Sequence, residues 1–391
     1  MIELLCQTQR KTQFSINIHD SLEEIKIEWN YILPENHHLK SKYLLFLEKS
    51  TTSKAKYGIA KKNNKIVGVL YLQITEFTEK DVNFSTLKFT PLSCILKSIF
   101  SLSCQFLVLI CGNLYRTAQE GYYFNKDIEP KLVFEELSEQ FQKIDRNLSG
   151  IIIKESKEIF HKNEKSKFSE IGDDITMKID INPQWTSIDD YINELSKKYR
   201  KRYQKIKESS KNLIKRELNE EEITFYELKI FNLYQQIVKN QSLKIGGLLP
   251  NYFVEMKKAL GENFKIFGIF NEDKLIAFSS HIYRPNKQKD IHYIGLEYSL
   301  NDNFNLYFNL LYWGLELAIY DKQVTLELGR TAHLAKASMG ALPVEQHNYV
   351  FLKSGIVKLS FWVYSKSLLK KIDTEWKNRS PFNTKNELKI I

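Results

Sequence analysis

Tyr57-Gly58-Ile59-Ala60, the turn at 61–64 and Lys65-Ile66-Val67-Gly68 together read as a β-hairpin, with an aromatic-Gly-Ile start and an apolar return after an Asn-Asn turn. The same phrase recurs downstream. Phe267-Gly268-Ile269-Phe270 runs into a turn at 271–273 and returns as Lys274-Leu275-Ile276-Ala277. The two glycines lie 210 positions apart. A second pair of landmarks has similar spacing. The apolar run 106–110 opens into Cys111-Gly112-Asn113, and the run 324–328 opens into Gly329-Arg330-Thr331, with the glycines 217 positions apart. Two landmarks in one order at similar spacing predict a duplicated design, each copy near half of the chain.

The 391 residues suit two domains better than one. A hydrophobic content of 43% and an aromatic content of 13% give each half a sizeable core and exclude extensive disorder. The formal charge of +10 favours anionic partners without choosing among them. The cysteines Cys6, Cys94, Cys104 and Cys111 form no CxxC pair and read as reduced thiols of a cytoplasmic protein. His37 and His38 are adjacent and are expected to point apart, so no metal site is expected. Residues 1–12 lack a signal-peptide pattern. The segment 92–112 carries Lys97 and several serines, which argues against stable membrane insertion. It reads as a helix over 91–102 followed by a core strand.

Further on, 129–146 has the spacing of an amphipathic helix. Asn182-Pro183 marks a hinge, giving domains over 1–181 and 182–379 and a polar tail over 380–391. Ser187 with Asp190 makes a capping box, which predicts one long helix from Ile188 to about Lys215. Helices are expected over 226–238, from Pro250 to near Gly261, and over 306–320. Strands are expected over 264–270, 275–283, 291–297, 324–328, 348–352 and 356–363, with a loop over 329–342. The strand–helix–strand crossover from 291 to 328 predicts one parallel pair in a mostly antiparallel sheet, splayed where a ligand meets the backbone.

Three segments carry a family likeness. They are SIDDYINELSKKYRKR (187–202), LYFNLLYWGLELA (306–318) and ELGRTAHLAKASMGALP (327–343). In this order they resemble the Fem-type and related tandem GNAT-fold acyltransferases. The resemblance covers most of 185–352 and extends more weakly to the first half. It implies an α/β (α+β) fold of two tandem GNAT-like domains, each a mixed, mostly antiparallel sheet flanked by helices. It also implies transfer of an acyl or aminoacyl group to a small-molecule or peptide amine, in cell-wall or surface-polymer synthesis. The donor is acyl-CoA or aminoacyl-tRNA. A non-catalytic GNAT-fold binding protein is the third reading. The family's recurrent positions fall here on Gly329, Arg330, Lys336, Gly340 and Ala341.

Residues 299–305 stand where GNAT enzymes place a glycine-rich phosphate loop. They contain no glycine and no cation but include Asp302, which competes with a bound anion at a helix start. Acyl-CoA use therefore stays open. Arg330 suits a carboxylate or phosphate, or else ties its own loop to backbone carbonyls. Lys336 sits among small residues that let a ligand approach. Arg200 and Arg202 belong to the basic run 197–203, either an anion-binding ridge or a solvated helix face. For proton transfer the candidates are Glu297, Tyr307 and His281; Lys336 is counted with the catalytic residues but, with Arg330, is expected to bind the anionic part of donor or acceptor. His281 reads as a core histidine.

Overall fold

The computed structural model describes residues 14–77, 106–160, 166–171, 174–241, 245–353, 355, 358 and 374–383. The expected helix over 91–102, the strand over 356–363 apart from residue 358, Cys6, Cys94 and Cys104 lie outside them. The chain forms two compact units. The first comprises Met1–Gly172, Ile245–Gly247 and Gln346–Leu369; the second comprises Asp173–Lys244, Leu248–Glu345 and Lys370–Ile391. The first boundary thus falls after Gly172, nine residues ahead of the one expected at 181.

In the first unit, β1 (Phe14–His19), β2 (Lys54–Lys62), β3 (Lys65–Phe77) and β4 (Phe106–Cys111) pair antiparallel in that order. Helices α1 (Lys26–Ile32) and α2 (Leu45–Ser50) precede β2. After β4 come the short strand β5 (Tyr122–Phe124), which pairs with β3, and helix α3 (Pro130–Ile144). Strand β6 (Leu148–Ser156) then pairs parallel to β4. The short β7 (Ser169–Glu170) and β6 both pair antiparallel with β14 (Leu342–Leu352). Val133, Phe134, Leu137 and Phe141 form the buried stripe of α3 against Leu109, Ile151 and Ile153. The spacing of that stripe is why 129–146 was legible as a helix.

The second unit repeats this order. Strand β9 (Ile214–Leu218), β10 (Phe264–Asn271), β11 (Lys274–Arg284) and β12 (Gln288–Leu296) pair antiparallel. The crossover runs through α9 (Tyr298–Phe304) and α10 (Leu306–Tyr320) to β13 (Thr325–Glu327), which is parallel to β12 and antiparallel to β8 (Asp174–Asp180). Helices α4 (Ile188–Glu194), α5 (Lys197–Ser209), α6 (Glu220–Phe225), α7 (Glu227–Lys239) and α8 (Tyr252–Leu260) complete the flanks, and α11 (His333–Ala337) follows β13. Leu306, Leu310, Leu311 and Leu315 of α10 are fully buried, each worth about 1.5–3 kcal/mol of transfer free energy. Each unit is thus a mixed, mostly antiparallel sheet flanked by helices.

Both units carry the hairpin, but the ladders place the two in a different register from the one expected. Their strand registers correspond at an offset of 209: Lys62 faces Lys65 as Asn271 faces Lys274, and the bulge after Ala60 recurs after Ile269. At that offset Gly58 answers to Phe267, so the matched glycines are one residue out of register. A one-residue slip exchanges the faces of a strand. A Cβ on Gly58 would meet Leu70, Ile16 and Ile18, whereas one on Gly268 would meet Leu275, Phe270 and Leu218. The second landmark pair fails outright. Strand β4 leads into a crossover helix as β12 does, while β13 follows one as β6 does.

Other expectations need correction. The long helix breaks at Leu195 and Ser196, both extended, because Leu195 bridges Phe382 and the Ser196 N–H donates to the Pro381 carbonyl. Residues 214–218 are strand. The expected loop 299–305 is mostly α9, started by Gln236 Oε1 accepting the Tyr298 N–H and ended by Asn305 in the left-handed region. The loop 329–342 contains α11. The start of the polar tail packs, with Phe382 against Trp185 and Tyr191. His37 and His38 stack at 4.4 Å rather than pointing apart. Ser187 and Asp190 form the expected capping box. Among the described residues, no helix is long and apolar enough to cross a membrane.

Candidate functional site

The parallel pairing of β12 and β13 is short. Gln288, Lys289 and Asp290 face Thr325, Leu326 and Glu327, and there it ends. Beyond this point β12 continues to Leu296, while the chain after β13 passes Gly329 into α11. Leu326 and Leu328 point into the core, and Glu327 between them takes the other face, as alternation requires.

Glu327 is held on both oxygens. Its Oε1 accepts the Gly329 N–H at 2.9 Å and its Oε2 accepts the Thr176 hydroxyl at 3.3 Å. Lys336 on α11 is 2% exposed, and its Nζ donates to the Gly329 carbonyl at 3.0 Å. That carbonyl also accepts the Met177 N–H at 3.1 Å. One peptide residue therefore stands between a carboxylate and an ammonium, its N–H given to one and its C=O to the other. Gly329 is at φ +78°, where a side chain is strained.

Burial raises the Glu327 carboxyl to about 7, against the Gly329 N–H and the cations Arg284 and Lys336, with Asp290 adding to the rise. Burial lowers the Lys336 ammonium to about 7, opposed by Glu327. Two groups with proton affinities brought together near neutrality suit proton exchange with a bound substrate.

The remaining expected residues divide. Arg202 joins the neighbourhood: its Nη1 donates to the Ser338 hydroxyl at 3.3 Å, and its guanidinium lies 4.3 Å from the Phe308 ring centroid. Arg330 pairs with Asp174 at 2.8 Å, which anchors its loop to β8. Arg200 donates to the Leu195 carbonyl at 3.0 Å and closes the break between α4 and α5. Gly340 has a packing role: its φ is +85° and a Cβ would come within 2.4 Å of the Phe382 ring. Glu297 lies seven residues along from Asp290, roughly 20 Å at strand rise, and pairs with Lys229 at 3.7 Å. Tyr307 packs between core clusters, and burial raises its phenol. His281 is fully buried against Ser279 at 2.9 Å. Sequence reading named Lys336 and missed Glu327. The available signal was a carboxylate two residues before Gly329 on the face the apolar residues leave.

The start of α10 does not fit the pyrophosphate of coenzyme A. Asn301 Oδ1 already takes the Tyr307 N–H at 3.1 Å. Asn309 Nδ2 fills the space beneath with bonds to the carbonyls of Phe304, Asn305 and Ile206. The exposed Asp302 adds negative charge. On α5, by contrast, Lys197, Lys198, Lys201, Arg202, Lys205 and Lys207 are all exposed. Among the described residues no group of acidic, histidine and cysteine side chains is arranged to hold a metal.

No family model and no curated protein matches the chain. Solved structures are similar in chain trace. FemX is 11% identical at a TM-score of 0.46, with 88% of this chain and 99% of that one covered. A Bacteroides thetaiotaomicron protein of unknown function is 11% identical at 0.47, covering 87% and 100%. A tandem GNAT protein from the clavulanic acid biosynthesis pathway is 8% identical at 0.45, covering 86% and 98%. These likenesses concern the path of the chain and bring no activity with them.

Proposed function

We propose that the chain is an acyltransferase of two tandem GNAT-like domains that moves an acyl or aminoacyl group onto an amine, with Glu327 and Lys336 as its proton-transfer groups. The observation that carries this reading is the Glu327–Gly329–Lys336 arrangement at the end of the parallel strand pair. An attacking amine must lose a proton and a leaving oxygen must gain one. In the proposed step the amine nitrogen bonds to the acyl carbon, and the bond from that carbon to the donor's ester oxygen breaks. Glu327 takes the amine proton, and the Lys336 ammonium gives one to the leaving oxygen. Proton exchange with solvent then restores the pair.

An aminoacyl ester of tRNA is the favoured donor. The start of α10 is occupied by the chain's own side chains, while α5 presents six exposed cations without a carboxylate until Glu208. Cell-wall peptides and surface polymers supply amines of the right class as acceptors.

The test is single-turnover transfer from labelled aminoacyl-tRNA, or from acyl-CoA, to a panel of diamines and amino-terminated peptides. Glu327→Gln is measured beside the unaltered protein. Transfer from tRNA that falls on the order of 10²-fold or more in the variant supports the reading. Turnover with acyl-CoA alone would overturn the donor assignment, and transfer unchanged in Glu327→Gln would overturn the site.

A further inference from the structure

Asp290 stands beside Glu327 on the adjacent parallel strand, in direct register. Neighbouring strands lie about 4.8 Å apart, so two carboxylates share one patch of the sheet face. Asp290 is 5% exposed, and Arg284 at the end of β11 holds it through Nε–Oδ2 at 2.6 Å. The other groups facing Glu327 are accounted for. Lys178 of β8 lies directly across from it and pairs with Asp180 at 3.1 Å, while Thr176 of the same strand donates to it. Lys336 of α11 reaches the Gly329 carbonyl, and Arg330 of the following loop is engaged with Asp174. His333, at the start of α11, has its imidazole pulled down by burial and by Lys336, and so adds no positive charge near neutral pH.

We infer that Asp290, clamped by Arg284, is a positioning residue that sets the proton affinity of Glu327. The inference rests on the reading of Glu327 as the proton acceptor, but its physical content does not depend on turnover. A buried like charge one strand away opposes ionisation of Glu327, and the Arg284 clamp fixes how much of that charge Glu327 feels. Arg284 and Lys336 place two cations near the two neighbouring carboxylates. Asp290 and Arg284 are assigned an electrostatic action on Glu327 and no contact with substrate.

The experiment follows the Glu327 carboxyl carbon by ¹³C NMR across pH in the full chain with ¹³C-labelled glutamate, its resonance assigned by its loss in Glu327→Gln. Asp290→Asn keeps an oxygen acceptor for Arg284 and removes the charge; the Glu327 midpoint should fall by on the order of one pH unit. Arg284→Gln should move it upward, and Arg284→Lys, which keeps the charge, should leave it near the unaltered value. Thermal melts identify any variant that fails to fold, in which case Arg284→Lys and Arg284→Gln carry the comparison. The acid limb of transfer is read on the same proteins. Midpoints that stay put in Asp290→Asn and Arg284→Gln overturn the inference. Midpoints that move while no protein shows transfer uphold it and count against the proposed function instead.

Discussion

Both units end their parallel strand pair with a lysine and a glutamate, and the two endings are built differently. In the first unit Lys154 meets Glu155 directly at 2.8 Å, with the carboxylate wholly sealed and the ammonium also donating to the Arg116 carbonyl. In the second unit Glu327 and Lys336 are joined through the N–H and C=O of Gly329. The direct buried pair anchors its loop through the Arg116 carbonyl. A pair separated by a peptide leaves each group only partly compensated, so burial draws both proton affinities toward neutrality. The same two residue types thus give a staple in one place and a candidate proton relay in the other.

Exchanging the lysines for methionine should break this contrast most visibly. Lys154→Met removes the ammonium that lies 2.8 Å from a sealed carboxylate and should cost about 3–5 kcal/mol, read by chemical denaturation. Lys336→Met should change stability far less while lowering transfer on the order of 10²-fold or more. Equal losses of stability from the two changes would remove the distinction.

Next in size is the helix–tail junction. Gly340→Ala should cost about 2 kcal/mol or more, because it combines a left-handed φ with a collision against Phe382. A neutral result by thermal denaturation would show that Phe382 yields.

The pH dependence of stability sharpens the comparison. Glu327 is raised from 4.5 to about 7 on folding. Between those values the folded state holds a proton that the unfolded state has lost, so its contribution is present below 4.5 and declines as pH rises to 7. Lys336 is lowered from 10.5 to about 7. Between 7 and 10.5 the unfolded state holds the extra proton, so stability recovers as pH rises through that range and the full cost is present at pH 7 and below. The two together predict a minimum of stability near neutral pH, read from melting temperatures across buffers. The Glu327→Gln/Lys336→Met protein should lack it.

The smallest effect distinguishes the hairpins. Asn63 and Asn64 both adopt positive φ, at 50° and 62°, which asparagine tolerates. In the second turn Glu272 carries φ 52° without that tolerance. Glu272→Asn should therefore stabilise by about 0.5–1 kcal/mol, whereas Asn64→Ala should cost about 1 kcal/mol. No gain from Glu272→Asn in a denaturant titration would mean that its side chain contributes something the turn conformation does not reveal.

How far the sequence could be read follows from which interactions are local. The turns, the stripe of α3, the Ser187 capping box and the crossover through α10 rest on residues within a few positions of one another, and all were legible. The break between α4 and α5 was not, because it is imposed by Pro381 and Phe382 from the far end of the chain. The glycine match misled by one residue because Gly58 and Gly268 stand at different distances from turns and bulges that do correspond, which only the ladder shows. Lys336 stood out by its small neighbours. Glu327 acquires its character from Asp290, Thr176 and Gly329, two of which come from other strands. Glu297 and Tyr307 seemed suitable by type but lie along β12 and α10, away from the point where the strands part.

The most direct test of the central claim is the ionisation of Lys336 itself, followed by ¹⁵N NMR of its Nζ with the resonance assigned through Lys336→Met. A folded, buried ammonium bridged to Glu327 through Gly329 predicts a midpoint near pH 7. A midpoint near 10, where an ordinary surface lysine titrates, would contradict the account and reduce Lys336 to a tether for its loop.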